Sequence, residues 1–471
     1  MGNSKSNSLL QKSFIYAIGT FGSKVLAFLL VPIYSYYLNQ DEFGYFDIVI
    51  TGINLLVPFL TLQISDSVFR WLLTNKDERE RENIITNSLI LLLFNVVITS
   101  LLSFFLFLVY PLRGQFLVTL VCCSAMVYPY MQQVARGVGK NKLFAFSGLL
   151  YTITYLLCNI FFLIYLGLKL EALFYSNILA YVIGSLFLFW RVKLSIFIKF
   201  RCFDFLYIKS LLSYSLPLVP NTISWWLINS ASKYIILIFI GVSANGIYAM
   251  AGRFPVILVM VNQVFTLAWQ EKAIVDHQKK VDKKSYKKIL QNLIKIQFSL
   301  VAVLSLGSQF MVDFLLSKDY YESWLYMPLL YVSVAFLSFS GFYGAFYLGA
   351  NKTKEVFLTT IVGGIVNVVL ALLLVKLIGL WGIAIASAIG YITLFIIRIK
   401  STKKIIKLNF PWKICIKYGV LLIVSLFVTY IQNEIYSLSF LVLIVLLLIV
   451  DNKLLIKSLI ERIEIKSITN R

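Results

Sequence analysis

Long apolar runs separated by short polar turns recur along the whole chain, a pattern that predicts membrane-spanning helices. A span needs about 20 predominantly apolar residues at about 1.5 Å rise per residue. Fourteen runs fit: residues 14–38, 46–73, 84–110, 116–139, 143–166 and 172–195, then 214–240, 246–271, 289–316, 323–349, 355–378 and 380–398, and lastly 413–431 and 437–457. The expected fold is an all-α polytopic membrane protein with about 14 transmembrane helices.

The runs also repeat. Asp41-Glu-Phe-Gly-Tyr-Phe46 opens a long helix that ends at Arg70 and Trp71, and Ser243-Ala-Asn-Gly-Ile-Tyr248 opens another that ends at Trp269 and Lys272. Gly139-Lys-Asn141-Lys142 closes the fourth run and Gly349-Ala-Asn351-Lys352 the tenth, followed by Asn159 and Gly167 in one case and Asn367 and Gly379 in the other. Both sixth runs end in Arg-x-Lys, at Arg191 and Arg398. The common order implies a duplication. Six spans per half is an even number, so the halves share one orientation about an axis along the membrane normal, with a site expected between them near the midplane. The expected division is an N-lobe over 1–200, a C-lobe over 201–405, and two further spans with a basic tail over 406–471.

Glycine and proline mark where helices can deform: Gly19, Gly22 and Pro32 in the first span, Pro58 in the second, Pro217 and Pro220 in the seventh, Pro255 in the eighth. They fall in the first two spans of each half. Non-ideal helix survives in lipid where neighbours or a cavity satisfy the freed carbonyls.

Composition agrees with the pattern. The chain is 60% hydrophobic and 14% charged, against about 25% charged in ordinary soluble proteins. A net charge of +22 raises nucleic acid as a partner, but the charges fall where topology puts them. Of 43 lysines and arginines, four lie in turns of one side, Arg113, Lys169, Lys318 and Lys376, six lie within or at the edges of spans, and the rest fall on the other side. The basic side is the cytoplasmic one, so both termini are expected inside, against an anionic leaflet, and nucleic acid is excluded as a partner. The five cysteines lack CxxC spacing, and the one histidine, His277, sits in a lysine-rich loop. Neither a disulfide framework, a metal centre nor a Ser/His/Asp triad is readable, and no cofactor is expected. A membrane polymerase or glycosyltransferase needs acids or histidines for proton transfer in a sizeable outer loop. Every outer turn here is short, so the chain is not expected to be an enzyme.

The six basic residues of the spans are Lys24, Arg70, Lys233, Arg253, Lys295 and Lys417. Lys24 lies ten residues past Phe14, roughly 15 Å deep. Insertion of a charge there costs on the order of 2.5 to 3.5 kcal/mol, and such residues face a bundle interior or a watery cavity, or pair with a carboxylate or helix carbonyl. Lys295 and Lys417 lie near cytoplasmic ends, within snorkelling reach. Arg70 follows Asp66 by four residues, which predicts an ion pair on one helix face. Lys233 and Arg253 flank the turn Gly241-Val-Ser-Ala-Asn-Gly246 at matched depth, roughly 10 Å below the outer surface. Two such cations repel unless something anionic or a shared cavity intervenes. Lys24 has no acid of similar depth beyond Asp66, which lies nearer the inside, so its missing counter-charge is expected to be the substrate's. Trp225 and Trp226 are candidates for stacking sugar rings.

The opening stretch (Gly19-x-x-Gly22-x-Lys24, then Phe28-Leu-Leu-x-Pro32), Asp41-Glu-Phe-Gly-Tyr-Phe-Asp47, the span ending Asp66-Ser-Val-Phe-Arg70, the turn Arg136-Gly-Val-Gly-Lys-Asn-Lys142 and the 6+6+2 layout resemble the Wzx-type flippases of lipid-linked oligosaccharides, within the multidrug/oligosaccharidyl-lipid/polysaccharide exporter superfamily. The resemblance covers essentially the whole chain. It implies a two-lobed carrier with a cationic cavity, located in the cytoplasmic membrane, that moves an undecaprenyl-diphosphate-linked repeat unit outward by alternating access for surface polysaccharide synthesis. It also implies that a basic residue in the first span contacts the diphosphate; Lys24 is the matching position. Lys233, Arg253 and Trp226 then form the rest of the substrate site, and Asp66 with Arg70 an inner gate or ion-coupling pair. Implied partners are the lipid-linked glycan, membrane lipids and the polysaccharide polymerase machinery. Two alternatives stay open: an ion-coupled multidrug-type exporter, which would be expected to carry more acids in its cavity, and a peptidoglycan-precursor flippase, which shares the lipid diphosphate.

Overall fold

The computed structural model describes Gly22 and residues 24–75, 77–279, 283–350, 352–406, 408–431 and 434–451. Residues 14–21 of the first span with Gly19, Lys76, Asn351 and the basic tail beyond Asp451 lie outside the described residues. Among the described residues the chain is helical, without strands. The first unit runs from Met1 to Arg253 and the second from Phe254 to Arg471.

The first unit contains α1 (Lys24–Tyr37), α2 (Gln40–Leu60), α3 (Ile64–Thr74), α4 (Glu78–Val109), α5 (Gln115–Gly137), α6 (Asn141–Ile160), α7 (Leu170–Val192), α8 (Phe205–Ser215), α9 (Val219–Phe239) and α10 (Val242–Ala251). The second contains α11 (Val256–Lys279), α12 (Lys283–Leu306), α13 (Ser308–Leu315), α14 (Met327–Gly349), α15 (Thr353–Ile378), α16 (Leu380–Thr402), α17 (Trp412–Ile431) and α18 (Glu434–Asp451). Ten of the described helices are long and apolar enough to cross a membrane, or eleven if the bent pair α10 and α11 is one span. The chain is a multi-pass membrane protein. Of the fourteen expected runs, α1 and the last apolar helix are short as described, and α9 has the length but is interrupted by Asn221, Thr222, Asn229, Ser230 and Ser232.

Two of the named prolines, Pro58 and Pro255, stand at breaks, whereas Pro32 lies within the continuous helix α1. Pro58 lies in the last turn of α2, and Leu62 and Gln63 adopt left-handed φ of 51° and 54° before α3 begins. The run expected over 46–73 is therefore two helices. Gly252 to Pro255 separates α10 from α11, whose axes differ by 45°. These are corresponding spans of the two halves. At the other matched turns, Lys140 N–H donates to Ala135 O at 2.9 Å and Lys352 N–H donates to Tyr347 O at 2.8 Å. The hydrogen bonds thus pair Lys140 with Lys352, two residues off the register in which Asn141 meets Asn351.

Packing sorts the spans by burial. The C-terminal half of α4 exposes Phe104, Phe105, Phe107 and Leu108, an apolar surface suited to lipid. In the second unit α14 is the most enclosed span, with Trp269 of α11 stacked on Phe342 at 4.4 Å and its indole N–H donating to Phe342 O at 2.8 Å. Arg398, counted with the loop cations at the end of α16, is instead 3% exposed. Its Nη1 donates to Ser340 O at 2.9 Å, Nη2 to Thr360 Oγ1 at 3.1 Å and Nε to Thr359 Oγ1 at 3.2 Å. A planar fork of donors can be satisfied by helix carbonyls and hydroxyls, so this arginine ties α14, α15 and α16 from within the unit.

Charges at the two ends of the first unit follow the loop pattern. Arg113 lies 3.6 Å from Asp41 and Lys169 lies 3.9 Å from Glu42, which gathers three turns assigned to one side. At the opposite end Lys140 donates to the last carbonyls of α7, at Val192 O and Arg191 O, and Tyr207 donates to Glu80. Lys140 has its pKa lowered by desolvation and by the neighbouring Lys193 and Arg191.

Candidate functional site

The site grows from the start of α2. Asn39 caps the helix: its side chain accepts from Glu42 N–H at 2.8 Å, and the Glu42 carboxylate accepts from Asn39 N–H at 3.0 Å. This capping box starts the helix at Gln40, six residues before the expected start of the run. Asp47 consequently sits two turns inside the helix, roughly 10 Å along its axis, and is buried.

Asp47 is the acid that the sequence reading lacked. Lys233 of α9 places Nζ 2.7 Å from one carboxylate oxygen and 3.0 Å from the other, and 3.4 Å from Thr51 Oγ1. Asn245 of α10 donates to Gly44 O at 3.0 Å and to Asp47 Oδ2 at 3.4 Å. Arg253 brings Nη2 to 3.9 Å from Asp47 Oδ1, with its guanidinium 5.4 Å over the Phe43 ring. The structure thus brings Lys233 and Arg253 together, as their matched depth predicted. Something anionic does intervene between them: one carboxylate, Asp47, serves both. The cluster holds two cations and one anion, a surplus of one positive charge.

Around it α9 runs antiparallel to α2 along a ladder of polar contacts. Tyr234 donates to Ile48 O at 3.3 Å, the Trp226 indole N–H donates to Thr51 O at 3.0 Å, and Gln63 donates to Thr222 Oγ1 at 2.6 Å. The Trp226 ring lies 5.6 Å from Tyr234, centroid to centroid, and is half-buried, so its polar edge is occupied by α2. Trp225, its neighbour, is also half-buried.

The two repeated turns meet each other here. A Cβ on Gly44 would lie 2.1 Å from Val242 O, and a Cβ on Gly246 would lie 2.0 Å from Gln40 O. Gly44 and Gly246 are equivalent in the repeat, and so are Gln40 and Val242. The crossing of α2 and α10 is therefore a pseudo-two-fold contact, backbone against backbone, which only glycine permits at those positions.

Lys24 begins the described part of α1, is half-buried and interacts with its surroundings. The pair expected between Asp66 and Arg70 does not form within 4 Å. Arg70 lies over the Tyr214 ring of α8, 4.2 Å from its centroid, while Asp66 in the first turn of α3 interacts with Arg136 from the last turn of α5. Arg136 also stacks over Phe69 at 4.2 Å. An exposed arginine gains more from an aromatic face than from a partly solvated ion pair one turn away.

Such an arrangement can hold a multiply charged anion on two cations while relocating a carboxylate.

A family model described as polysaccharide biosynthesis protein matches residues 9–270, and the chain belongs to that family. An uncharacterised membrane protein of Methanocaldococcus jannaschii is 23% identical over 424 residues, covering 85% of this chain and 99% of that protein. Among solved structures, a lipid II flippase, MurJ, in an inward closed conformation superposes with a TM-score of 0.71 at 15% identity, over 95% of this chain and all of that one. An inward-facing multidrug resistance MATE family transporter of the MOP superfamily gives 0.65 at 17% identity, over 81% and 94%. These likenesses establish the fold, and with the family they bear out the resemblance in superfamily.

Proposed function

We propose that the chain is a flippase that moves an undecaprenyl-diphosphate-linked oligosaccharide repeat unit from the cytoplasmic to the outer leaflet of the cell membrane, by alternating access, for surface polysaccharide synthesis. Membership of the polysaccharide biosynthesis family supports the substrate class. The observation that carries the reading is the charge balance two turns inside the membrane helices: Lys233 and Arg253 against the single carboxylate of Asp47. A carrier of cationic drugs needs the opposite sign there.

A diphosphate with a glycan attached crosses hydrocarbon only if the protein supplies counter-charge and a polar path while the prenyl tail stays in lipid. In this reading Lys24 meets the diphosphate at the midplane, Lys233 with Arg253 form a second station nearer the outside, and Trp226 with Trp225 faces the sugars. Asp66 and Arg70 remain candidates for an inner gate, now together with Arg136. The 1–200, 201–405 and 406–471 division supplies two repeat lobes and an appended pair of helices, both termini are cytoplasmic, and no covalent bond is made or broken. Membrane lipids and a polysaccharide polymerase are the proposed partners.

The fold shared with a lipid II flippase favours one second reading, transport of the peptidoglycan precursor, which presents the same diphosphate. Gene replacement separates the two. Restoration of surface polysaccharide in a strain lacking its own oligosaccharide flippase supports the proposal. Rescue confined to a strain depleted of its peptidoglycan-precursor flippase overturns it in favour of the second reading.

A further inference from the structure

The Asp47 carboxylate occupies the place of a phosphate. Both its oxygens face Lys233 Nζ, at 2.7 and 3.0 Å, the Asn245 amide approaches at 3.4 Å, and the Arg253 guanidinium stands 3.9 Å away. Ammonium, amide and guanidinium around an anion of two oxygens is the donor set that proteins use for phosphate groups. The same carboxylate also fastens α9 and α10 to α2, beside the Gly44 and Gly246 crossing. Its loosest ligand is Arg253, whose side chain is 37% exposed.

We infer that Asp47 is an internal competitor which a substrate's diphosphate must displace from Lys233 and Arg253, so that this one residue sets selectivity for multiply charged anions and couples their capture to release of α10 from α2. The inference rests on the reading of the substrate as a lipid-linked diphosphate. A monoanion replaces the Asp47 charge with an equal charge, and loses the hydrogen bonds that the folded chain already holds in place. A diphosphate brings more charge than it displaces and engages both cations at once. When Lys233 turns to the ligand, α9 and α10 lose the carboxylate that held them against α2, and the glycine crossing is left without its polar fastening.

The full chain in nanodiscs at about pH 5, where a phosphate monoester carries close to a single charge, titrated separately with undecaprenyl diphosphate and undecaprenyl monophosphate, tests this. The parent is expected to bind the diphosphate at least about tenfold more tightly, the order of one charge-assisted contact. Asp47→Asn, which keeps the shape and removes the charge, is expected to tighten the monophosphate about tenfold and to shrink the preference to under about threefold. A parent that binds both lipids equally, or an Asp47→Asn variant with both affinities unchanged beside a parent that prefers the diphosphate, overturns the inference and leaves the proposed substrate class standing. A parent that binds neither lipid removes the substrate class and the inference together. Where Asp47→Asn fails to insert, the parent alone decides by hydrogen exchange: saturating diphosphate is expected to speed amide exchange in residues 242–251 while the monophosphate does not, and equal exchange with both overturns the inference.

Discussion

Lys233 grips both carboxylate oxygens of Asp47 from across the α2 and α9 contact, at 2.7 and 3.0 Å, with 24% of the lysine side chain and 9% of the aspartate side chain exposed. A pair this buried contributes little net stability while intact, but removal of one partner strands the other charge in a poorly solvated place. Arg253 shares the carboxylate, so deletion of Asp47 strands two cations beside each other.

Asp47→Ala is therefore expected to lower unfolding stability by about 3 to 5 kcal/mol in detergent. Lys233→Met in the Asp47→Ala background is expected to recover part of that loss. A double-mutant cycle from thermal unfolding checks it, with a coupling energy above about 1 kcal/mol expected and additivity counting against the pairing.

Gly246→Ala forces a methyl group into the Gln40 carbonyl, which the structure places 2.0 Å from the built Cβ. Backbone cannot yield as a flexible side chain does, so α10 must move off α2, at a cost of about 1 to 3 kcal/mol or more. A cysteine replacing the buried Ala249 reports on it. It is expected to resist a membrane-impermeant maleimide in the parent and to react in the Gly246→Ala background; equal protection in both would mean that the crossing tolerates the methyl group.

The helix break that isolates this region was readable, because Pro58 and Pro255 sit in corresponding spans and each marks a bend. The acid at the centre was not, although its signal was present. Starting the second run at Phe46 put Asp47 at the membrane edge. Asn39 followed by Glu42 at the third helical position is a capping-box pattern, and it starts the helix early enough to bring Asp47 level with Lys233. Arg70 and Arg398 failed for another reason. Sequence spacing records which residues share a helix face, but a long arginine chooses among partners on neighbouring helices, here Tyr214 for one and the hydroxyls of α15 for the other. Lys24 was identified from depth alone, which is visible in any apolar run.

Arg398 has no carboxylate within 4 Å among the described residues, and Thr359 and Thr360 keep bonds to their own helix at Glu355 O and Val356 O. Removal of the charge strands little. Arg398→Leu is expected to hold thermal stability within about 1.5 kcal/mol of the parent, while Arg398→Lys, which keeps the charge and loses the fork, is expected to cost about 2 to 3 kcal/mol. The reverse order in thermal unfolding would assign Arg398 a charge-dependent structural role.

Charge matters more than shape for a cation that meets a diphosphate, so Lys24→Arg is expected to retain most surface polysaccharide where Lys24→Ala retains little. Quantification of surface glycan, with membrane insertion checked by immunoblot, separates the two. Equal losses from both substitutions would point to packing around α1.

The most direct test of the central claim is translocation itself. Purified protein in proteoliposomes, supplied with a fluorescent undecaprenyl-diphosphate-linked oligosaccharide in one leaflet, is expected to deliver it to the other, where an added reductant quenches it. Lys24→Ala and the double substitution Lys233→Gln/Arg253→Gln are expected to fall to the rate of protein-free vesicles. Parent protein that moves no more lipid than empty vesicles, or variants that move it at the parent's rate, would contradict the account.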